Sequence, residues 1–193
     1  LSRQEAERAL AFVNNCGPAF LLSYVGAGIL GSSRAGGYLL LVHVLSALLT
    51  GLLLSRGTGP QAASSFRRSP AAEDRSLGEA LPAAVADAIA STLRICGFVV
   101  LFRTAGALLP AGLPAPLLGL LEMVSGVAAL SPGRAGFIAA AGIVGWGGLC
   151  VHCQTMAVLS GTGLSLRRHW LGKALQAALS IALAWAVSAR LYP

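Results

Sequence analysis

One acidic side chain in this sequence lies inside an apolar segment. Glu122 is surrounded by leucine, methionine and valine between Leu117 and Leu130. A charged group at bilayer depth costs about 2.5 to 3.5 kcal/mol on insertion scales, so this carboxylate must face a cavity or a cation. Arg94 and Arg103 are the candidate cations. Three roles follow: half of a structural ion pair, a site for a substrate or coupling ion, or a lipid headgroup contact.

The run Asn14-Asn15-Cys16-Gly17-Pro18 is a second candidate, because it interrupts an apolar stretch. Where a helix breaks inside a membrane, its freed backbone groups must be satisfied by protein, water or ligand. The helix that follows Pro18 would also present N–H donors to an anion. The alternative is a helix cap at the membrane edge, a role that the side chains of Asn14 and Asn15 also suit.

A glycine-rich run from Gly145 to Gln154 is the third candidate. Three glycines in four positions are poor material for a continuous helix, so we predict a re-entrant turn there. Cys150-Val151-His152-Cys153 matches C-x-x-C, but the only further ligand near it in the sequence is His169 and no βαβ pattern accompanies it. We therefore expect packing and polar lining, with no metal and no cofactor.

Enzymatic chemistry lacks the residues it needs. No nucleophile, base and metal arrangement is recognisable, so we expect that the chain is not an enzyme. His43 stands alone on an apolar span, which favours a satisfied interior histidine over a proton relay.

The amino-acid composition indicates that these residues lie in a membrane protein. The chain has 193 residues, 55% hydrophobic and 11% charged, with a mean hydropathy of +0.74. A soluble domain needs more polar residues to cover its core, so the expected partner is a lipid bilayer. The net charge of +7 comes from Lys and Arg that flank apolar runs, a pattern of membrane proteins that argues against nucleic acid binding.

The apolar segments predict an all-α, polytopic transmembrane protein with broken or re-entrant helices. Residues 1–54 form a broken helix, with pieces at 1–13 and 19–30, followed by a transmembrane helix over 38–54. Residues 55–82 form a polar extramembrane loop, cytoplasmic if every segment crosses. Residues 83–193 form a second transmembrane region, with the re-entrant glycine-rich segment and apolar runs over 83–109, 117–130, 135–159 and 170–189.

Four strings together resemble a known family. They are NNCGPAFLLSYVGAGILG, AIASTLRICGFVVLF, GLLEMVSG and GWGGLCVHCQ, and their order and spacing are similar to those of the sporulation integral membrane proteins called YlbJ or SpoVV. The resemblance runs over nearly the whole chain. It lacks the earlier portion of the family, so the chain resembles the C-terminal half and its partner would be a missing N-terminal half or another subunit.

The resemblance implies a nucleoside-recognition or Gate type membrane protein, half of a repeat architecture similar to concentrative nucleoside transporters. It implies transport of a small anionic metabolite, dipicolinic acid, during spore formation, in the bacterial cell membrane or outer forespore membrane. The alternatives are a non-transporting assembly protein for spore maturation and a nucleoside permease. The substrate-lining residues carried over by the resemblance are Asn14, Asn15, Pro18, Glu122, Ser125, Trp146, Gly147, Gly148, His152 and Gln154.

Overall fold

The computed structural model describes residues 3–55, 76–110 and 112–192. Within these residues the regular structure is entirely helical. In chain order it comprises α1 (Arg3–Ala9), a π-helix (Phe20–Ile29), α2 (Ser33–Ser55), α3 (Leu77–Ala107), α4 (Ala115–Leu121), α5 (Met123–Ala128), α6 (Arg134–Trp146), α7 (Gly148–Val158) and α8 (Arg167–Leu191).

Four stretches of the described chain are long and apolar enough to cross a bilayer. The predicted fold class is therefore confirmed: the protein is an all-α, multi-pass integral membrane protein. These stretches are Ser33–Ser55, Leu77–Ala107, Arg134–Val158 and Arg167–Leu191.

The helices begin earlier than predicted. The Gly36-Gly37 pair, which suggests a lead-in turn, lies inside α2, where Gly36 lets the backbone of Gly26 in the π-helix approach closely. Helix α3 begins at Leu77, six residues before Ala83, because the Glu79 carboxylate accepts the backbone N–H of Ser76 at 3.3 Å and caps the first turn. Residues 56–75 of the predicted loop lie outside the described residues.

The glycine-rich break between α6 and α7 does not turn the chain back. Arg134 Nε donates to Ser188 Oγ at 2.9 Å, near the last turn of α8. His152 Nδ1 lies 3.0 Å from His169 Nε2, near the first turn of α8. The two helices therefore run together along the length of α8, in the opposite direction. The prediction of a re-entrant turn at Gly147 is wrong, because two glycines with positive φ bend a crossing helix without reversing it.

The segment before α2 crosses the bundle in two pieces. Leu10 and Asn15 contact α8 at His169 and Gln176, so the chain after α1 runs alongside α8 in the same direction. Leu30, at the end of the π-helix, then reaches the first turn of α6. The predicted broken helix thus crosses the helix bundle in two pieces, interrupted where residues 14–17 have no helical structure, and it is called the broken crossing below.

In the described part of the chain, the α4–α5 hairpin reverses direction inside the bundle. The predicted single segment over 117–130 divides at Glu122, whose backbone is extended, and Gly126 packs back against the Gly119 backbone. Helix α4 runs beside α6, with Gly119 close to Ile143 and the Leu120 carbonyl accepting Trp146 Nε1–H at 3.2 Å. Glu122 consequently lies at the hairpin tip, level with the α6–α7 break.

Candidate functional site

Three interruptions of helical structure meet inside the bundle. They are the segment around Cys16, the hairpin tip at Glu122 and the break at Gly148. Cys16 Sγ lies 3.3 Å from Met123 Sδ, the residue after the tip. A side-chain carbon at Gly148 would lie 3.0 Å from the Met123 backbone nitrogen and 3.2 Å from the Leu121 carbonyl oxygen. Non-helical backbone at this depth is tolerated where protein or a cavity satisfies it.

Glu122 is satisfied within its own hairpin. Its Oε1 accepts the Val124 N–H at 2.8 Å, and its Oε2 accepts both the Ser125 N–H and the Ser125 hydroxyl at 2.7 Å. The side chain is 4% exposed. It is the N-cap of α5.

Glu122 forms no ion pair with a described residue, so the predicted alternative of an ion pair with Arg94 or Arg103 is wrong. Three donors of the hairpin itself take the place of the expected arginine, because N–H and O–H groups alone can satisfy a carboxylate.

The buried cation of the site is Lys173, which the sequence analysis did not single out. It is 2% exposed, in the second turn of α8. Its ammonium group donates to the Asn14 carbonyl oxygen and, at 3.0 Å, to Gln176 Oε1. Gln176 Nε2 in turn donates to Asn15 Oδ1 at 2.8 Å. The broken crossing is therefore held to α8 by a chain of polar contacts that starts at a lysine.

A periodic signal could have found Lys173. The sequence analysis gave only an apolar run over residues 170–189, but the buried residues of α8 form a polar stripe at spacings of three and four. A fully lipid-exposed span would show no such stripe, and a cation in it is by default a functional residue. The polar members are His169, Lys173, Gln176, Ser180 and Ser188.

His152 belongs to a second buried polar group, beside Lys173. Its ring stacks on Trp170 with centroids 4.2 Å apart and meets the edge of Trp146 at 4.4 Å. Its Nδ1 lies 3.0 Å from His169 Nε2, and His169 Nδ1 lies 3.0 Å from the Leu10 carbonyl oxygen. That carbonyl can only accept, so neutral rings place a proton on Nδ1 of both histidines.

The contacts around Lys173 and His152 form the polar centre of the site. The other predicted lining residues have separate partners. Asn14 donates from Nδ2 to Thr155 Oγ1 at 3.0 Å, and Gln154 donates to Cys150 Sγ at 3.2 Å. Gly147 and Ser125 belong to the break and the tip, whereas Pro18 is exposed. No group of three or more possible metal ligands occurs in the described part of the chain.

Two cavities lie near the polar centre formed by Lys173 and His152. The larger, of about 570 Å³, is apolar and lies between α4, α6 and α8. The smaller, of about 320 Å³, lies between the broken crossing and α2, and Asn15, Cys16 and His43 line it. The smaller one adjoins the polar contacts of the broken crossing, whereas the larger one is lined by apolar residues apart from Trp146.

The sequence of this chain is similar to that of a known sporulation protein. The chain is 28% identical to the sporulation integral membrane protein YlbJ of Bacillus subtilis (strain 168) over an alignment of 233 positions, gaps included, that covers 96% of this chain. This chain is similar to the C-terminal half of YlbJ. No protein-family model matches it, and no solved structure matches it significantly.

The match covers most of this chain but little more than half of YlbJ. The chain spans 57% of the length of YlbJ, and the matched part is the C-terminal half of that protein. The predicted relationship to that half is confirmed. The described crossings and the hairpin thus correspond to one part of a longer relative.

Proposed function

We propose that this chain forms part of a membrane passage for a small anionic solute and that Lys173 binds the anion. The single observation that carries the proposal is that the buried Lys173 ammonium group donates hydrogen bonds to two neutral oxygens, those of the Asn14 carbonyl and the Gln176 amide. A desolvated cation without a counter-charge is costly to retain, and an anionic ligand would supply that charge.

The geometry around Lys173 supports an exchange of partners. An ammonium group has three N–H donors, and two of them go to Asn14 and Gln176. The Asn14 carbonyl belongs to the non-helical part of the broken crossing. It can therefore leave the ammonium group without unwinding a helix, and the amide groups of Asn14 and Asn15 would then face the arriving anion.

The name of the relative suggests when this passage operates. YlbJ is a sporulation integral membrane protein, and we propose the same setting for this chain. Dipicolinate is our candidate solute, because two carboxylates on a small planar ring suit an ammonium group and several amide donors. The remaining part of the passage would come from a segment equivalent to the first half of YlbJ.

A chimera tests the proposal. The matched half of YlbJ is replaced by this chain in Bacillus subtilis, and the dipicolinate content of the spores is measured. We expect normal content with the unaltered chain and a loss with Lys173→Met. Arg190→Met, which removes a cation from the exposed last turn of the same helix, is the matched control and should leave the content normal.

The outcome separates the competing functions. Normal dipicolinate with Lys173→Met, at equal protein abundance, contradicts an anion passage through this site. A non-transporting assembly role predicts that spore defects follow protein abundance in all variants. A nucleoside permease predicts uptake of labelled nucleoside by vesicles that contain the chimera, with dipicolinate failing to compete.

A further inference from the structure

His152 and His169 form a buried histidine pair that the proposed passage does not yet use. Both side chains are fully buried, and His152 Nδ1 lies 3.0 Å from His169 Nε2. His169 Nδ1 lies 3.0 Å from the Leu10 carbonyl oxygen, which can only accept a hydrogen bond. In the neutral pair each ring therefore donates from Nδ1, and the hydrogen bonds run in one direction, from His152 to His169 to Leu10.

The neutral pair leaves one nitrogen lone pair without a donor. It belongs to His152 Nε2, which is buried and has no hydrogen-bond partner among the described residues. A buried acceptor without a donor is unfavourable, so a group that satisfies it is expected. His152 lines neither of the two cavities described above. A proton is the ligand that binds this nitrogen without needing a cavity.

The aromatic rings around His152 favour its cationic form. Trp170 stacks on the His152 ring with centroids 4.2 Å apart and an interplanar angle of 25°, and the Trp146 centroid lies 4.4 Å away. A cation over the face of a tryptophan is attracted by its π electrons, most strongly where water is excluded. A proton on His152 Nε2 leaves Nδ1–H donating to His169, so the positive charge forms without loss of the existing hydrogen bonds.

Lys173 opposes that positive charge as long as it has no counter-ion. It follows His169 by one turn on the buried stripe of α8, a spacing that places two Cβ atoms about 5 to 6 Å apart. Two cations at this separation repel each other strongly in a low-dielectric interior. A bound monoanion balances the charge of Lys173 alone, whereas a dianion leaves one negative charge for the histidine pair.

The other titratable groups on the neighbouring elements do not supply this negative charge. The Glu122 carboxylate accepts three hydrogen bonds within its own hairpin, and Glu7 is held by Arg3 and the Ser165 N–H. The remaining acidic side chains of the described chain are exposed, and they are Glu5, Glu79 and Asp87. The other groups on α1, α3, α7 and the first turn of α8 are cations or thiols: Arg8, Arg94, Arg103, Arg167, Arg168, Cys150 and Cys153.

Asn14 connects the histidine pair to the lysine. Its carbonyl oxygen accepts from the Lys173 ammonium group, and its Nδ2 donates to Thr155 Oγ1 at 3.0 Å, about one turn after His152 on α7. An anion that displaces this carbonyl loosens Asn14 from both helices. The same movement gives water a route to the histidine pair.

We propose that the pair of His152 and His169 binds one proton together with a dianion at Lys173, so that the two ligands occupy the protein jointly. This joint binding depends on the anion site of the proposed function. The proton comes from water and adds to His152 Nε2, where it forms an N–H bond, and no electron is transferred. Because binding takes up a proton, the affinity for a dianion increases as pH falls.

Calorimetric titration of the purified chain in lipid nanodiscs, in buffers with different ionisation enthalpies, counts the protons taken up. The probes are dipicolinate and picolinate, which share one ring and differ by one carboxylate. At pH 6.5 we expect uptake of about 0.5 to 1 proton with dipicolinate and none with picolinate. The affinity for dipicolinate should increase about three- to tenfold from pH 7 to pH 6, and that for picolinate should stay constant.

A double variant assigns the proton to the pair. His152→Gln combined with His169→Gln removes both imidazole rings and keeps amide donors and acceptors in their place. We expect proton uptake with dipicolinate to disappear, together with the pH dependence of its affinity. His43→Gln is the matched control, because an amide oxygen can still accept the Cys16 N–H, and it should leave uptake unchanged.

Three results would overturn the proposal: dipicolinate binding without proton uptake, equal uptake with picolinate, and uptake that persists in a folded double variant. Each of them leaves the anion site at Lys173 standing. The comparison of the two anions on the unaltered chain remains decisive if the double variant fails to fold. If neither anion binds, the proposed function fails, and the joint binding of a proton fails with it.

Discussion

The hairpin tip and the polar stripe of α8 each bury one charged side chain, and they satisfy it differently. Glu122 accepts three hydrogen bonds, all from residues two or three positions further along the chain. Lys173 donates to a carbonyl 159 residues away and to Gln176 on its own helix. One charge is satisfied locally, whereas the other depends on contact between two crossings.

This difference indicates which charge is structural. A carboxylate that caps its own helix keeps its partners whenever the hairpin forms, so it needs no ligand. A lysine held by a neutral carbonyl of another segment can exchange that partner for an anion. The sequence predicted that Glu122 is the charged residue of the functional site. The geometry instead favours Lys173 as the candidate for that role.

The largest effect on stability is expected where the hairpin packs on the α6–α7 break. Gly148→Ala places a side-chain carbon 3.0 Å from the Met123 nitrogen at φ +82°, so strain and overpacking combine to about 3 kcal/mol or more. Gly161→Ala, at φ +81° with nothing within 4 Å, carries the strain alone, about 1 to 2 kcal/mol. Thermal unfolding in nanodiscs measures both, and equal losses would show that the hairpin does not press on the break.

Removing the cap should cost less than disturbing that packing. Glu122→Ala leaves two backbone N–H groups without an acceptor, and we expect a loss of about 2 kcal/mol in the free energy of unfolding. Glu122→Gln keeps one acceptor oxygen and should lose about 1 kcal/mol. Anion binding should persist in both. Loss of binding in a well-folded Glu122→Gln protein would return the working role to the carboxylate.

Lys173→Met should change stability little. Removing a buried cation relieves its desolvation cost, which offsets the acceptors left on Asn14 and Gln176, so the net change should be within about 1 kcal/mol. Urea titration of the purified chain in detergent measures it. A loss above about 3 kcal/mol would mean that the lysine chiefly holds the broken crossing to α8.

The sequence predicted the class of fold and the places where helices break. Glycine and proline runs and apolar length are local signals, and they correctly marked interruptions at residues 14–18 and 147–148. It did not predict which interruption reverses the chain. That depends on Gly119 and Gly126 packing against each other across the hairpin, which is a tertiary contact.

The candidate site was predicted in part for the same reason. Asn14, Asn15, Gly148 and His152 lie close to the polar centre, because a break or a buried polar residue indicates an interior position. Lys173 was missed because residues 170–189 were predicted only as an apolar run, and the overall apolar character of that run hides the polar stripe. Spacing within the helix carries the information that the average loses.

The smallest expected effect concerns the membrane edge. The Ser165 backbone N–H and the Arg3 guanidinium lower the pKa of Glu7 below its usual value. The ionised form therefore stabilises the fold above the unfolded pKa, about 4.3, and this contribution disappears as pH falls through the lower folded pKa. Melting temperatures between pH 6 and pH 3 should fall further for the unaltered chain than for Glu7→Gln, and parallel curves would contradict this assignment.

The most direct test of an anion site at Lys173 is calorimetric titration of the purified chain in nanodiscs with dipicolinate. A charge-assisted hydrogen bond contributes about 1.5 to 3 kcal/mol, so Lys173→Met should weaken binding by about 10- to 100-fold. Arg190→Met should bind as the unaltered chain does. Binding of dipicolinate to a folded Lys173→Met protein with unchanged affinity would contradict the account.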